Sequence, residues 1–342
     1  MKAAEYVKAQ EIAYRDVPLA PLGKDEIRIR VAYCGICGTD LHIFKGHMDA
    51  RVRAPQAVGH EVSGIVDSVG ENCKGFQPGD KVTVRPLDNC GKCPTCQAGF
   101  THICEHLRFL GIETAGGFAE FWTVPGRLVH HLSSSMSLKL AALVEPLAVA
   151  CHDVRRSELK PGDCVVVNGG GPIGMLIALV ARQAGAKVTI SEINEARIKL
   201  ANELGFTAVN PLKEDIVSKI RSETGGSGAD VVFEVSGSEP GARVITELAR
   251  PRGTIVVVAI YAKPVPVDLH KFFWKELRMV GARVYEAADY EKAIQLVSDG
   301  ALALEPLISR VFPLEKLQSA FEYLTGTPDA MKVLIQCNEV KE

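Results

Sequence analysis

The sequence predicts an α/β protein with two domains, one dominated by short strands and one built on a parallel sheet. Up to about Pro146, valine-bearing runs of alternating polarity are separated by glycines, as in residues 26–31, 62–66 and 80–84, and this pattern indicates a β-rich domain. From about Leu147, strand-like and helical runs alternate, which is typical of a parallel sheet with helices on both faces. The 342 residues suffice for two domains of ordinary size.

The second domain is predicted to cover residues 147–286. Its elements are expected, in chain order, as a strand at 164–168, a helix at 175–184, a strand at 187–191, a helix at 195–204, a strand at 208–209, a helix at 213–224, a strand at 230–235, a helix at 243–249 and a strand at 254–259. The β-rich domain would then comprise residues 1–146 and 287–342, because a C-terminal strand at 332–335 could return to it after a helix at 290–299.

The charge pattern favours a small-molecule partner. The formal net charge is −2 and no basic run occurs, so neither nucleic acid nor an anionic membrane surface is an expected partner. The charge-free stretch 164–181 contains Asn168, four glycines and Pro172, and we interpret it as a strand, a turn and a helix rather than a membrane span.

Four cysteines within fifteen residues predict a structural zinc site. Their spacing is C-x2-C-x2-C-x7-C, in a lobe of about residues 88–106, and the four are Cys90, Cys93, Cys96 and Cys104. Such a set can close a tetrahedral shell with no open position. Disulfides and an iron–sulfur cluster are the alternatives. The other six cysteines are scattered, as expected of a protein in a reducing compartment, here the cytoplasm.

A glycine-rich turn predicts a dinucleotide site. It follows a strand, opens a helix and contains Gly169, Gly171, Pro172, Ile173 and Gly174. In the G-x-G-x-x-G pattern the glycines allow a tight turn, close approach of the pyrophosphate, and close packing of helix on strand. A tight turn without a cofactor is the alternative.

Glu192 ends the second strand of this domain, where a carboxylate binds the adenosine ribose and repels a 2′-phosphate. This position favours NAD over NADP, unless Glu192 is merely a solvated acid. Arg197, one helical turn further on, weakens the preference because it could reach a phosphate. We also assign Ala259 and Ile260 to the cofactor site.

A second, open metal site is indicated by Cys37 and by the pair His60 and Glu61, which lie in glycine-flanked segments. Taken alone, Cys34 and Cys37 could be a redox pair, and His60 could be an ordinary loop histidine. Together with the cysteine lobe and the glycine-rich turn, however, these residues resemble the zinc-dependent medium-chain alcohol/polyol dehydrogenase family along essentially the whole chain.

The resemblance implies a six-stranded Rossmann domain and a GroES-like catalytic domain. It also implies one catalytic and one structural zinc ion per chain, with the catalytic ion on Cys37 and His60. Where the alcohol dehydrogenase branch has a further cysteine, this chain has Glu145, and that departure is similar to the sorbitol dehydrogenase and threonine dehydrogenase branch. In that branch Glu61 would be a direct ligand, and Glu145 would lie beside the metal, where it would hold water or substitute as a ligand.

The activity implied is NAD-dependent oxidation of a secondary hydroxyl group to a ketone, on a polyol of the sorbitol or xylitol type. Three protein ligands leave a position where an alcohol oxygen can bind and become acidic, and Thr39 and His42 match the proton relay of the branch. L-Threonine and 2,3-butanediol are alternative substrates, and a non-catalytic NAD-binding sensor is the alternative from another class. The resemblance further implies a homotetramer, for which we expect a surface near residues 254–262 and 279–284.

Overall fold

The computed structural model describes residues 1–340 and divides into two units. Unit 1 contains Met1–Glu145, Tyr290–Gly300 and the segment from Leu304 onward, and unit 2 contains Pro146–Asp289 and Ala301–Ala303. The C-terminal segment that we assigned to the β-rich domain is therefore not continuous. Its first three residues, 287–289, and the short stretch Ala301–Ala303 belong to unit 2.

The N-terminal part of the chain is rich in strands. These are β1 (Lys2–Lys8), β2 (Glu11–Asp16), β3 (Glu26–Gly35), β4 (Gln56–Ala57), β5 (Glu61–Val69), β6 (Lys81–Val84), β7 (Leu87–Asp88), β8 (Arg108–Phe109), β9 (Phe121–Pro125) and β10 (Val129–His131). Three short helices interrupt them, namely α1 (Gly38–Phe44), α2 (Pro94–Gln97) and α3 (Leu138–Ala141).

The remaining elements alternate between helix and strand. They are α4 (Val144–Ser157), β11 (Cys164–Asn168), α5 (Pro172–Gln183), β12 (Lys187–Ser191), α6 (Glu195–Glu203), β13 (Thr207–Val209), α7 (Ile216–Glu223), β14 (Ala229–Glu234), α8 (Glu239–Leu248), β15 (Ala249–Val257), α9 (Leu269–Lys275), β16 (Arg278–Gly281), α10 (Ala287–Ser298), β17 (Ile308–Pro313), α11 (Leu317–Gly326) and β18 (Lys332–Gln336).

The main sheet of unit 1 has seven strands. Its order is β10-β6-β5-β3-β18-β17, and β9 pairs with β3 outside this path. The C-terminal strand β18 runs antiparallel to β3, with Leu334 opposite Gly35 and Ile335 opposite Cys34. On its other side β3 pairs with β5, which places Gly35 opposite Glu61. Strand pairing thus brings three distant parts of the sequence to one end of this sheet.

Unit 2 contains a six-stranded sheet in the order β13-β12-β11-β14-β15-β16, in which every neighbouring pair is parallel. This confirms the predicted Rossmann-type parallel sheet. The strands carry near-continuous valine and isoleucine runs because both faces are covered. One buried cluster joins β11, β14 and β15 to α7 and α8, and includes Val166, Ile216, Ile220, Val232, Ile245, Leu248 and Ile255.

Four helices begin at residues other than those predicted: α5 at Pro172 rather than 175, α10 at Ala287 rather than 290, and α7 and α8, whose capping residues explain the difference. Helix α7 starts at Ile216 rather than 213, since Asp215 accepts hydrogen bonds from the N–H groups of Val217 and Ser218. Helix α8 starts at Glu239 rather than 243, since the Ser238 side chain accepts from the N–H of Gly241.

The expected self-association surface needs a correction. Strand β15 pairs with both β14 and β16, so residues 254–257 of the expected segment 254–262 do not lie at a sheet edge. The edge strand is β16, which overlaps the second expected segment, 279–284. Among residues 1–340, no helix has both the length and the apolar character needed to cross a membrane.

Candidate active site

The four-cysteine lobe has the geometry of a closed metal site. The four sulfur atoms lie within 4.8 Å of one another. The Sγ of Cys104 is 3.5 Å from that of Cys90 and 3.8 Å from that of Cys93. Sulfur atoms about 2.3 Å from a zinc ion at tetrahedral angles are separated by about 3.8 Å, so these distances fit zinc.

Backbone N–H groups point at the sulfur atoms of this lobe. The N–H of Cys93 donates to Sγ of Cys90, and that of Cys96 donates to Sγ of Cys93, each at 3.4 Å. Hydrogen bonds from the N–H groups of Lys92 and Cys93 lower the pKa of Cys90 to about 6, whereas burial raises the pKa of Cys96 to about 12. Such bonds favour thiolates, the form that binds metal, so the donor set and its surroundings suit a structural zinc ion.

Cys37, His60 and Glu61 form a second cluster, in which one ligand atom from each residue lies within 4.8 Å of the others. Cys37 caps helix α1 just after β3, and His60 and Glu61 stand at the start of β5. The second carboxylate oxygen of Glu61, Oε2, is buried and has no hydrogen-bond partner among residues 1–340. A buried oxygen without a partner is costly, and a metal cation would satisfy it.

Gly35 leaves the space that this carboxylate occupies. A Cβ atom at Gly35 would lie 2.0 Å from Oε2 of Glu61, so no larger residue fits without displacing Glu61. The sulfur, nitrogen and oxygen donors of the cluster match the ligands that zinc takes in catalytic sites, where three protein ligands leave one position open. The cluster therefore fits a catalytic zinc ion.

Asp40 is a buried, charged neighbour of His60. Its Oδ1 lies 3.7 Å from Nδ1 of His60, and its Oδ2 accepts a hydrogen bond of 2.9 Å from the N–H of Cys37. Burial raises the pKa of Asp40 to about 6. Burial opposes a charged imidazole, yet Asp40 and Cys37 raise the pKa of His60 to about 10. Surroundings that favour positive charge so strongly would also attract a metal cation.

Lys332 is a member of the site that the sequence did not reveal. Its ammonium nitrogen is buried, lies 2.5 Å from Oε1 of Glu61 and also donates to the carbonyl oxygen of Ile36 at 3.1 Å. Burial acts to lower the pKa of Lys332, but the charges of Glu61 and Cys37 raise it. Lys332 thus holds one oxygen of Glu61 while the other faces the ligand cluster.

Thr39 and His42, the expected proton relay, lie three residues apart on α1, and residues at this spacing share one face of a helix. Thr39 is half-buried and His42 is exposed. Nδ1 of His42 lies 3.3 Å from Nδ1 of His47, a neighbour that sequence reasoning missed. The pair lies at the surface of unit 1, where a proton could pass to solvent.

Glu145 is buried in the first turn of α4. Its charge contributes to the raised pKa values of both His60 and Lys332, so it lies within electrostatic reach of the cluster. Its carboxylate is not one of the ligand atoms that lie within 4.8 Å of one another.

The glycine-rich turn of unit 2 connects β11 to α5 as expected. Gly171 is the N-cap of α5, and Pro172 and Ile173 form its first turn. A Cβ atom at Gly174 would lie 1.9 Å from the carbonyl oxygen of Gly169, whereas one at Gly171 would have no neighbour closer than 3.6 Å. Gly174 therefore serves packing, and Gly171 leaves the helix N-terminus open to an anion.

Glu192 directly follows β12 and is held by three N–H groups. Its Oε2 accepts from Gly170 at 2.8 Å, and its Oε1 accepts from Ile193 and Asn194 at 2.7 and 2.9 Å. Nη1 of Arg197 lies 3.8 Å from Oε2 of Glu192. The carboxylate is thus fixed beside the glycine-rich turn, where a ribose would be bound.

Ala259 and Ile260 lie just after β15. The N–H of Ala259 donates to the backbone carbonyl of Glu234, which joins the segment after β15 to the end of β14. Ile260 is 91% exposed. Both residues are at the carboxyl ends of the parallel strands, the edge where nucleotides bind to such sheets.

Comparison with known proteins identifies the family. The model of the alcohol dehydrogenase GroES-like domain matches residues 23–134, and that of the zinc-binding dehydrogenase domain matches residues 172–299. The chain is 54% identical over 313 residues, 92% of both proteins, to 2-dehydro-3-deoxy-L-galactonate 5-dehydrogenase of Pseudoalteromonas atlantica. It is 34% identical over 328 residues, 94% of this chain and 95% of the relative, to sorbitol dehydrogenase of Halalkalibacterium halodurans.

A solved structure gives the same result. A zinc-binding dehydrogenase from Sinorhizobium meliloti, bound to NADP, superposes with a TM-score of 0.92 at 33% identity and 98% coverage of both chains. The fold and site therefore define a zinc-type dehydrogenase that acts on hydroxyl groups. The chain belongs to the zinc-dependent medium-chain alcohol dehydrogenase family, which confirms the resemblance drawn from its motifs.

Proposed function

We propose that this enzyme oxidises a secondary hydroxyl group of an open-chain, polyhydroxylated sugar acid to a ketone, with NAD as the hydride acceptor. The observation that carries the proposal is the cluster of Cys37, His60 and Glu61, with a buried oxygen of Glu61 that lacks a partner. A sugar acid is favoured because the relative that is 54% identical is named for oxidation of 2-dehydro-3-deoxy-L-galactonate at carbon 5.

In this proposal Cys37, His60 and Glu61 hold the catalytic zinc ion, which would polarise the substrate hydroxyl and make it more acidic. The charge of Asp40, 3.7 Å from His60, favours a cation at this place, and Lys332 orients Glu61 through one of its oxygens. Glu145 adds negative charge nearby and favours binding of a hydroxyl group or water rather than an apolar group.

Thr39 and His42 carry the proton away from the substrate. The Thr39 hydroxyl accepts this proton while giving up its own toward His42, and the exposed His42 releases a proton to solvent. The Nδ1 atoms of His42 and His47 lie 3.3 Å apart, so His47 can share in this last step. A histidine suits this step because its two ring nitrogens allow it to accept a proton on one and donate from the other.

NAD is proposed as the cofactor, held by the turn at Gly169, Gly171 and Gly174 and by the carboxylate of Glu192. The fixed, buried carboxylate of Glu192 supports NAD because it would repel a 2′-phosphate. Arg197, 3.8 Å from this carboxylate, partly offsets the repulsion.

Sorbitol or xylitol is the second candidate substrate, supported by the 34% identity to a sorbitol dehydrogenase. Both candidates share a vicinal diol, and two adjacent oxygens can approach one metal ion together. The two substrate classes differ in the carboxylate, which only the sugar acid carries.

The test is a comparison of substrates with zinc-loaded protein and NAD, measured as NADH formation. The panel contains 2-dehydro-3-deoxy-L-galactonate, sorbitol, xylitol, 2,3-butanediol, L-threonine and ethanol. We expect the highest kcat/KM for the sugar acid and the lowest for ethanol, with no turnover by a Cys37→Ser control. If sorbitol or xylitol gave the highest value, the second candidate would replace the first.

A further outcome separates an enzyme from a sensor. NADH binding without turnover of any panel member would argue against the proposed reaction and for a non-catalytic NAD-binding protein. If L-threonine or 2,3-butanediol gave the highest kcat/KM, the proposed substrate would be that compound instead.

We also propose a homotetramer in the cytoplasm. Self-association is supported by the edge of β16, which pairs on one side only among residues 1–340, and by exposed apolar side chains of unit 2, namely Met279 on β16 and Leu269, Phe273 and Trp274 on α9. No disulfide joins any of the ten cysteines, all of which lie within residues 1–340, as in reducing compartments. Sedimentation as a monomer at micromolar concentration would contradict self-association.

A further inference from the structure

Two buried glutamates flank the central strand β11 of unit 2 at its carboxyl end. Glu192 follows β12 on one side, and Glu234 ends β14 on the other. Only Glu192 is explained by the expected adenosine site. Glu234 is fully buried, and neither the metal cluster nor the glycine-rich turn accounts for it.

Glu234 accepts four hydrogen bonds. Its Oε1 accepts from the N–H of Ser236 at 3.0 Å, from the Ser236 hydroxyl at 2.6 Å and from the N–H of Gly237 at 3.1 Å. Its Oε2 accepts from Nδ2 of Asn168 at 2.5 Å. Because an ionised carboxylate is purely an acceptor, it can satisfy all four donors at once.

These bonds connect three loops. Asn168 ends β11 directly before the glycine-rich turn, and Ser236 and Gly237 belong to the loop after β14. The backbone carbonyl of Glu234 also accepts from the N–H groups of Val258 and Ala259, just after β15, at 3.0 Å each. One residue therefore ties together the loops that follow β11, β14 and β15.

The hydroxyl of Tyr261 adds a second observation at this place. Its oxygen is buried and no group among residues 1–340 is in hydrogen-bonding geometry with it, yet it lies within reach of Glu234. Burial first, and then the charge of Glu234 and a side-chain interaction with it, raise the pKa of Tyr261. The loop after β15 therefore adds a buried hydroxyl to the polar cluster around Glu234.

The sheet order assigns the two glutamates to different halves of a dinucleotide. In a sheet ordered β13-β12-β11-β14-β15-β16, the dinucleotide crosses the carboxyl edge near β11, where the strand order reverses. The adenosine half lies on the side of β12, with Glu192. The other half lies on the side of β14 and β15, where Glu234 organises the loops.

We propose that Glu234 is a positioning residue for the nicotinamide half of the cofactor, the counterpart of Glu192 on the adenosine half. It acts through the loop at Ser236 and Gly237 and the segment at Ala259, and it does not touch the reacting atoms. The inference rests on the proposed use of NAD.

The experiment measures binding of two probes, without substrate, to wild-type protein and to Glu234→Gln. NADH contains the nicotinamide, whereas ADP-ribose contains only the adenosine half and the second ribose. In Glu234→Gln an NH2 group, which donates, replaces one carboxylate oxygen, which accepts. This group then faces either the donating amide of Asn168 or the N–H groups of Ser236 and Gly237. We expect NADH affinity to fall about tenfold, since bonds to a buried charge are lost, and ADP-ribose affinity to change less than about twofold.

Matched variants make the result specific. Glu239 is a half-buried residue of α8 paired with Arg243, and Glu239→Gln should bind both probes as the wild type does. Glu192→Ala should weaken ADP-ribose and NADH together. Ser236→Ala removes one donor but keeps the carboxylate, so it should produce the selective NADH loss in weaker form even if Glu234→Gln fails to fold.

The assignment of Glu234 would be overturned if Glu234→Gln and Ser236→Ala each lost the same affinity for NADH as for ADP-ribose. It would also be overturned if neither variant lost affinity for either probe. If wild-type protein bound ADP-ribose but not NADH, or bound neither, the proposed cofactor itself would be wrong. The two failures are therefore distinguishable.

Discussion

The ammonium group of Lys332 lies 2.5 Å from Oε1 of Glu61, and both side chains are buried. The pair joins the C-terminal strand β18 to the start of β5, because β3 pairs with both strands. It leaves Oε2 of Glu61 free to face Cys37 and His60. A ligand of the proposed catalytic metal is therefore oriented by a residue 271 positions further along the chain.

This relationship predicts the effect of Lys332→Met. Without the ammonium, Glu61 keeps a buried charge that has lost its partner, so we expect the free energy of unfolding to fall by about 3 kcal/mol. Since Glu61 also loses the bond that orients it, kcat should fall by about 10- to 100-fold. Urea unfolding and steady-state kinetics measure the two effects.

The control is Lys24→Met, which breaks an exposed pair with Glu71 and should cost less than about 1 kcal/mol. An unchanged kcat in Lys332→Met would show that Glu61 needs no orientation by Lys332.

The two ligand clusters together predict two zinc ions per chain in the wild type. In Cys104→Ser only the ion on Cys37, His60 and Glu61 should remain. Serine in place of a thiolate opens the closed shell, so the variant should lose its structural zinc and unfold at a lower temperature. Cys73→Ser, on a half-buried cysteine outside both clusters, should keep both ions. Elemental analysis that found iron, or two zinc ions in Cys104→Ser, would refute a zinc-binding lobe.

Cofactor preference should depend on Glu192. We expect wild-type kcat/KM to be higher with NAD than with NADP, because the fixed carboxylate repels a 2′-phosphate. Glu192→Ala should narrow this ratio, and Arg197→Ala should widen it by removing the nearby cation. Equal values for the two cofactors in the wild type would refute the preference.

The hydrogen bonds of Asp289 predict how the free energy of unfolding changes in acid. It accepts hydrogen bonds from Arg155 at 2.7 Å and from His152 at 2.8 Å. Although burial acts to raise it, these bonds hold the pKa of Asp289 well below its ordinary value of 3.8. Asp289 therefore stabilises the fold above that pH, and this contribution is lost as the pH falls further. Asp289→Asn should be less stable than wild type at neutral pH, and its free energy of unfolding should decline less in acid. Urea unfolding of both proteins over a range of pH measures this. Parallel curves of unfolding free energy against pH would contradict it.

The sequence predicted those parts of the site that depend on local spacing. The cysteine lobe and the glycine-rich turn are each formed by consecutive residues, so residue type and spacing were sufficient. The pairing of Cys37 with His60 and Glu61 needed the family resemblance, because strand pairing between β3 and β5 brings them together.

The residues that were missed act only through tertiary structure. Lys332 stands in an otherwise apolar strand, and nothing nearby in sequence marks it as the partner of Glu61. Glu234 ends a buried strand, and its role depends on loops from three strands meeting at one edge. His47 follows α1 after a turn, and only the folded turn brings its ring to His42.

The central claim is that Glu61 is a metal ligand and that Glu145 acts beside the metal without holding it. The most direct measurement is the zinc content per chain of purified Glu61→Ala and Glu145→Ala, together with kcat for each. We predict that Glu145→Ala keeps two zinc ions but loses most of its kcat, whereas Glu61→Ala keeps only the structural ion. Loss of the catalytic zinc from Glu145→Ala, with Glu61→Ala retaining it, would contradict the account.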